Sequence, residues 1–305
     1  MRSRWQRFKE SYFLFSFLRD PVAVTSFIIL AILVIGSFGA PLIAPHDPYN
    51  PTTIDIMDSE LPPAWSAEGT SKFLLGTDNM GRDMFSTMLY GMRISIIIGV
   101  GAVALQAFLG IIIGLLSGYI KRLDTILMRI ADVQLSFSTY MIAIFIGAIF
   151  QTMFGVANYE KIAAPLLILI IGLAEWPQYA RTVRASVLAE RKKEYVEAAR
   201  VIGLSKIRIM WRHILPNTLS PVLVISTVQV ANAIMSEAAL SFLGLGMPMT
   251  KPSLGSLITA GFEYIFSGSW WITIFPGVLL VLLILVINLL GDWIRDYLNP
   301  KLYKG

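Results

Sequence analysis

The sequence predicts an all-α polytopic membrane protein with six transmembrane helices. Three observations carry that prediction. Apolar residues make up 55% of the 305 positions and charged residues only 15%, with a mean hydropathy of +0.66. Those values lie outside the range of a soluble domain. Six apolar blocks are each long enough, at roughly 18–25 residues, to cross a bilayer core. Basic residues also alternate from loop to loop, as the asymmetry of membrane insertion requires.

Residues 1–20 form a basic interfacial segment. Trp5, Phe8, Tyr12 and Phe15 recur at helical spacing, with Arg4, Arg7 and Lys9 between them. That pattern suits a helix lying in the cytoplasmic membrane interface. Residues 21–44 carry the first span, with its apolar block at Val22–Ala44. The block is too long, and its basic prelude too extended, for a cleaved signal peptide, and no A-x-A-like site follows it. Residues 45–90 are rich in Pro, Asp and Gly and read as an extracytoplasmic cap. Within the cap, Leu75-Gly76-Thr77-Asp78 and Gly81-Arg82-Asp83 read as a turn with a local ion pair. Residues 91–298 form the core with five further blocks, at Ile94–Gly118, Val133–Phe154, Ala163–Tyr179, Asn217–Glu237 and Trp271–Gly291. Residues 299–305 are a short tail.

The basic residues set the orientation. They gather in the N-terminal segment, after the second span (Lys121, Arg122, Arg129), after the fourth (Arg181 to Arg212) and at the C-terminus. The first outer loop is acidic, with Asp47, Asp55, Asp58, Glu60, Glu68, Asp78 and Asp83. Both termini are therefore expected in the cytoplasm. The net charge of +5 is thus topological and does not point to nucleic acid. With no cysteine and two distant histidines, His46 and His213, neither a disulfide framework, a thiolate metal site nor a histidine cluster is expected. No Gly-x-x-x-x-Gly-Lys-Ser/Thr loop occurs, so the chain is not expected to bind or hydrolyse ATP itself.

The loop of about 181–216 carries the functional signal, because a connection of that length without a role is uncommon. Tyr195, Ala198, Ala199 and Ile202 fall at i, i+3, i+4 and i+7, one apolar helical face opposite Glu194, Glu197 and Arg200. Gly203 stands where a left-handed residue ends a helix. Ser205 is placed to cap a second short helix. There Ile207, Met210, Trp211 and Ile214 form one face, and Lys206, Arg208 and Arg212 another. Two short helices bent at a glycine make a knob suited to docking.

Glu197-Ala198-Ala199, three residues, Gly203 and then Leu215-Pro216 resembles the EAA loop of permease subunits of bacterial ABC importers. His213 occupies the place of an isoleucine in the general pattern, and His213-Ile214-Leu215-Pro216-Asn217 is similar to the peptide-transporter branch. Leu75–Asp83, Glu237–Gly246 and Asn288–Asp296 resemble the C-type permease of dipeptide and oligopeptide importers. Phe137-Ser138-Thr139 and Lys251-Pro252-Ser253-Leu254-Gly255 depart from that pattern. The resemblance implies a type I importer permease fold, with a coupling helix between spans 4 and 5. It implies that Glu197, Ala198, Ala199, Gly203, Leu204, Ser205, Lys206 and Arg208 dock an ATPase subunit. It further implies two ATP-binding subunits that hold ATP and Mg, a homologous B-type permease forming a heterodimer, and an extracytoplasmic peptide-binding protein. The location implied is the cytoplasmic (inner) membrane of a bacterium or archaeon. No cofactor or metal is expected in this chain. A metal-chelate (nickel) importer of the same family is the alternative substrate reading. An ion-coupled secondary transporter and a non-transporting scaffold are the alternatives from other classes.

Polar residues inside spans are costly and face a cavity or one another. Gln106, Gln134, Ser136, Gln229, Asn232, Ser236 and Asn288 are the candidates. Gln229, Asn232 and Ser236 share one face of the fifth span, and with Gln106 and Ser136 they are the expected lining of a translocation path. Asn288 is expected to make interhelical hydrogen bonds. Glu175 is expected at the cytoplasmic end of the fourth span, paired with Arg181 or another loop cation. Gly110, Gly114 and Gly118 recur every four residues as a helix-packing face.

Overall fold

The computed structural model describes residues 12–50, 52, 54–154 and 156–298. Their regular elements are helices, and the one extended pairing is an isolated bridge between Thr77 and Asp83. The expected tail and the interfacial positions Arg4, Trp5, Arg7, Phe8 and Lys9 lie outside the described residues. The chain divides into two compact units, one drawn from residues up to Ile96 and from Gly246 onward, the other formed by Ile97–Leu245.

In the first unit, α1 (Tyr12–Arg19) leads into α2 (Pro21–Phe38). Asp20 caps α2, accepting from the Val22 and Ala23 amides at 2.9 and 3.1 Å, while Pro21 takes the first position, where no amide is needed. Ile32 and Ile35 on α2 are more than half exposed, as a lipid-facing span requires. A short helix, α3 (Ala40–Ile43), follows.

The expected ion pair organises the next stretch. Asp78 and Arg82 are both buried, with their side chains 2.6 Å apart. The Arg82 guanidinium also donates to the Met249 carbonyl at 2.6 Å. Burial of this pair is tolerated because the charges are hydrogen-bonded as well as paired. Asp83 then accepts from the Ser86 amide at 2.9 Å, at the start of α4 (Met84–Tyr119). The first turns of α4 pack Met84 and Met88 with Leu257, Trp271 and Ile272. These come from the last two helices of the chain, Leu254–Phe262 and Trp271–Leu298. The Trp271 indole N–H donates to the Thr77 carbonyl at 3.0 Å.

The second unit holds the rest of α4, then α5 (Lys121–Leu135), α6 (Thr139–Phe154), α7 (Val156–Glu190), α8 (Glu194–Val201), α9 (Lys206–Ile209), a π-turn at Met210–Ile214 and α10 (Leu215–Phe242). The two helices named above complete the series as α11 (Leu254–Phe262) and α12 (Trp271–Leu298). Gly110, Gly114 and Gly118 of α4 lie against α7. A Cβ on Gly114 would stand 2.6 Å from the Ala180 carbonyl oxygen and 2.7 Å from the Val183 Cβ. Only glycine lets the two backbones approach so closely.

Among the described residues, five helices are long and apolar enough to cross a membrane, and α5 with α6 supplies a sixth if that pair, bent by 89°, is one span. The third block expected at Val133–Phe154 is therefore not one straight helix. Val133–Leu135 ends the amphipathic α5, and the chain turns at residues 136–138. There the Ser136 hydroxyl bonds back to the Asp132 carbonyl at 2.9 Å, the competition with backbone that makes serine a poor helix interior. The fourth block, expected at Ala163–Tyr179, is the centre of a much longer helix that runs through Pro165 and Pro177. Pro177 has no N–H for the Leu173 carbonyl. The Gln134 side-chain amide donates to that carbonyl instead, and to the Ala174 carbonyl at 3.1 Å.

Candidate functional site

The loop between α7 and α10 folds as a knob within the second unit. Glu194 and Glu197 occupy the first turn of α8, where acids favour the positive end of the helix dipole. The helix ends in a Schellman motif. The Gly203 amide donates to the Arg200 carbonyl at 3.0 Å and the Leu204 amide to the Ala199 carbonyl at 3.1 Å. Gly203 has φ +84° and nothing within 4 Å of where its Cβ would stand, so the glycine serves the turn and not a tight contact. Ser205 caps α9, accepting from the Arg208 amide at 3.4 Å.

The buried stripe of the knob differs from the expected faces. On α8, Val196 and Ala199 are buried, while Ala198 and Tyr195 are exposed and Ile202 is 77% exposed. The helix is only two turns long, and its buried positions, Val196 and Ala199, share only Ala199 with the Tyr195–Ile202 stripe. Beyond Gly203, Ile209, Met210 and Ile214 are buried while Ile207 and Trp211 are not. The π-turn at Met210–Ile214 places an extra residue in the helical register, so the i, i+3, i+4, i+7 face expected from Ile207 to Ile214 is not continuous. Val201, Ile202 and Ile207, at 88%, 77% and 69% exposed, are left as an apolar tip around Gly203. Glu197, Ala198, Ser205, Lys206 and Arg208 are exposed beside them, and Leu204 is half-buried.

A polar clamp that the sequence does not signal fixes the base of this knob. The Tyr195 hydroxyl donates to Glu190 at 2.5 Å and accepts from the Asn217 amide at 3.1 Å. Asn217 also donates to the His213 carbonyl at 2.8 Å. One phenol thereby joins the end of α7, the knob and the start of α10. Partial burial, followed by the hydrogen bond to Glu190 and its charge, pushes the Tyr195 phenol up to about 12. Further along α7, Arg184 grips Asp124 with two hydrogen bonds at 2.5 and 2.7 Å. Arg191 donates to the Gly118 carbonyl at 2.8 Å.

A second polar group lies in the middle of the bundle. Glu175 is 8% exposed and sits near the centre of α7. Its carboxylate accepts from Gln106 at 3.5 Å and Gln229 at 3.4 Å. Asn232 donates to the Gln229 side-chain oxygen at 2.7 Å. The expected pairing of Glu175 with Arg181 is not found. Arg181 reaches Asp132 at 2.5 Å, and because α7 continues past Pro177, Glu175 is at mid-helix and not at a helix end. Of the expected path residues, Gln106, Gln229 and Ser236 are buried between helices, Asn232 is half-buried, and Ser136 is exposed at the α5–α6 turn, apart from the others. Asn288 is half-buried in α12. Among the described residues, no group of three His, Cys, Asp or Glu could hold a metal.

Comparison with known proteins places this geometry. The family described as binding-protein-dependent transport system inner membrane component matches residues 110–304, and the N-terminal TM domain of oligopeptide transport permease C matches residues 2–63. The chain belongs to the binding-protein-dependent transport permeases. Among its relatives, the di/tripeptide transport system permease protein DppC of Pseudomonas aeruginosa (strain UCBPP-PA14) is 34% identical over 288 residues, 94% of this chain and 90% of that protein. The dipeptide transport system permease protein DppC of Escherichia coli (strain K12) is 37% identical over 288 residues, 94% of this chain and 91% of that protein. A solved inward-facing structure of the MetNI methionine ABC transporter aligns with a TM-score of 0.50 at 22% identity, covering 70% of this chain and 98% of that one. That alignment speaks to the permease fold alone.

Proposed function

We propose that this permease subunit imports dipeptides and oligopeptides in an ATP-driven complex, and that the knob at Glu194–Ile209 seats in an ATPase subunit. The observation that carries the substrate class is the match, along nearly the full chain, to relatives named for dipeptide and di/tripeptide transport. The docking role is supported by the apolar tip at Val201, Ile202 and Ile207, which a knob without a partner would leave in water. Glu197, Ala198, Ala199, Gly203, Leu204, Ser205, Lys206 and Arg208 surround or support that tip. ATP and Mg bind the partner ATPase subunits, and a homologous B-type permease supplies the other half of the pathway. An extracytoplasmic binding protein delivers the peptide. The basic loops support a cytoplasmic location for the knob and both termini. The clamp at Tyr195 makes movement of the knob a movement of α7 and α10 together.

The experiment is ATPase activity of the full complex in liposomes, with and without its binding protein, for wild type and Glu197→Lys. Stimulation by peptide-loaded binding protein is expected in wild type, and its loss is expected in the variant with the complex intact. Full stimulation of an intact variant complex would remove the docking assignment. Stimulation by nickel chelates and not by peptides would overturn the substrate.

A further inference from the structure

The Asn288–Asp296 segment has no part in the coupling surface, yet its end of α12 builds a cleft in the first unit. The wall opposite is α1. Phe13 packs edge-on against Trp293 and Tyr297, and Phe17 against Trp293, each with ring centroids 5.1 Å apart. Trp293 and Tyr297 stack on each other at 5.6 Å. These rings hold α1 across the end of α12, leaving a cleft of about 560 Å³ bordered by Ser16, Arg19, Asp20, Leu289, Asp292 and Asp296. That volume lies within the range of small-molecule sites.

Its position in the chain fixes its depth. Asp20 immediately precedes the apolar α2, and Asp292 immediately follows the apolar part of α12, so the cleft opens at the membrane–water boundary. Tryptophan and tyrosine favour that level because one edge of each ring is apolar and the other polar. Towards the bilayer, Ile274, Val278, Val281 and Leu285 are all exposed. They recur every three or four residues and lead to Leu289, so a continuous apolar stripe runs from the cleft along α12.

The charges define the occupant. Arg19 forms no ion pair with any described residue, and lies over the Phe15 ring at 5.1 Å. Asp20 is committed to capping α2. Asp292 and Asp296 share one cation, Arg295, at 3.3 and 3.6 Å, leaving carboxylate oxygens able to accept more. One wall thus offers a guanidinium for a phosphate and the other offers acceptors for an N–H cation, with acid in excess among the described residues that border the cleft. An anionic headgroup would meet that excess; a zwitterion with a terminal ammonium complements it.

We propose that this cleft binds the headgroup of an aminophospholipid, with phosphate at Arg19, ammonium at Asp292 and Asp296, and an acyl chain along the Ile274–Leu289 stripe. The test uses the complete transporter complex in nanodiscs of phosphatidylethanolamine, phosphatidylglycerol or phosphatidylcholine, and in mixtures of them. Lipid retained after detergent extraction is counted by mass spectrometry. Phosphatidylethanolamine is expected to be enriched over the surrounding bilayer roughly tenfold, the discrimination one charge-assisted contact supplies. Asp292→Asn with Asp296→Asn should erase that enrichment, and Arg19→Gln should weaken retention of every phospholipid. Ser16→Phe keeps all the charges and fills the cleft, so it should also erase the enrichment in an intact complex. Enrichment untouched by the charge variants and by Ser16→Phe would overturn the site. Preferential retention of phosphatidylglycerol would overturn the ligand class. Displacement of the lipid by free phosphoethanolamine at equal concentration would assign the cleft to a soluble zwitterion. None of these readouts depends on what the complex transports.

Discussion

Within residues 97–245 the knob and the helix bundle arrange the same kinds of residue in opposite ways. The knob turns apolar side chains outward at Val201, Ile202 and Ile207 and keeps its polar clamp, Tyr195, Glu190 and Asn217, at the base. The bundle draws its polar side chains inward, onto Glu175, and faces much of its apolar surface outward. Glycine differs in the same way. Gly203 takes φ +84° in open space, whereas Gly114 is helical and pressed against α7. On the proposed docking, a surface awaiting a protein partner and a surface awaiting lipid are both apolar. They are distinguished by what holds them in place: a hydrogen-bonded clamp with a left-handed stop in one, backbone-to-backbone packing in the other.

Substitutions should separate the two regions. Gly114→Val is expected to have the largest effect, because the added side chain meets the Ala180 carbonyl at a distance backbone cannot yield. A loss of about 3 kcal/mol or more is expected for such overpacking. The fraction of protein recovered as a folded complex after detergent extraction reads it, and wild-type recovery would mean α4 and α7 do not pack closely. Glu175→Leu comes next. It leaves the Gln229 amide buried without an acceptor, a cost of about 2 kcal/mol, while the Gln106 amide keeps the Ile171 carbonyl at 3.4 Å; Glu175→Gln keeps an acceptor for both and should cost less. Thermal unfolding of the pair would refute the bundle assignment if Leu were the milder change.

Tyr195→Phe is the smallest of these. It removes the clamp's hydroxyl, worth about 1 kcal/mol for a hydrogen bond, and should lower peptide uptake more than basal ATPase. The pH dependence has a definite sign. The folded phenol is raised to about 12 from an unfolded value of about 10. Its contribution is therefore full below pH ~10 and lost as pH rises towards 12. The difference in unfolding temperature between wild type and Tyr195→Phe should be flat from neutral pH to about 9.5 and shrink above 10. A difference that grows with pH would contradict the clamp.

Much of this was readable without coordinates. Hydropathy located the spans because lipid imposes a length on them, and Gly203 announced its turn because few other residues adopt positive φ. The every-fourth-residue glycines of α4 marked a close helix contact for the same kind of steric reason. The Glu175 cluster was legible only in pieces. Gln106 and Gln229 stood out as polar residues in apolar blocks, but Glu175 looked like a boundary residue because Trp176-Pro177 resembles a helix end. A proline is better tolerated inside a helix when its orphaned carbonyl finds another donor, and that donor, Gln134, is remote in sequence. The shift of faces in the knob was hidden too, because a π-turn changes register without leaving a compositional mark.

The hydrogen bond from Gln134 to Leu173 also has a genetic consequence. The glutamine is needed because Pro177 is there, so the two positions should behave as one locus. Gln134→Leu alone should be harmful. Pro177→Ala restores an N–H to Leu173 and, paired with Gln134→Leu, should act as its intragenic suppressor. A selection for regained peptide uptake, begun from Gln134→Leu, should return changes at Pro177 more often than at prolines elsewhere in the chain.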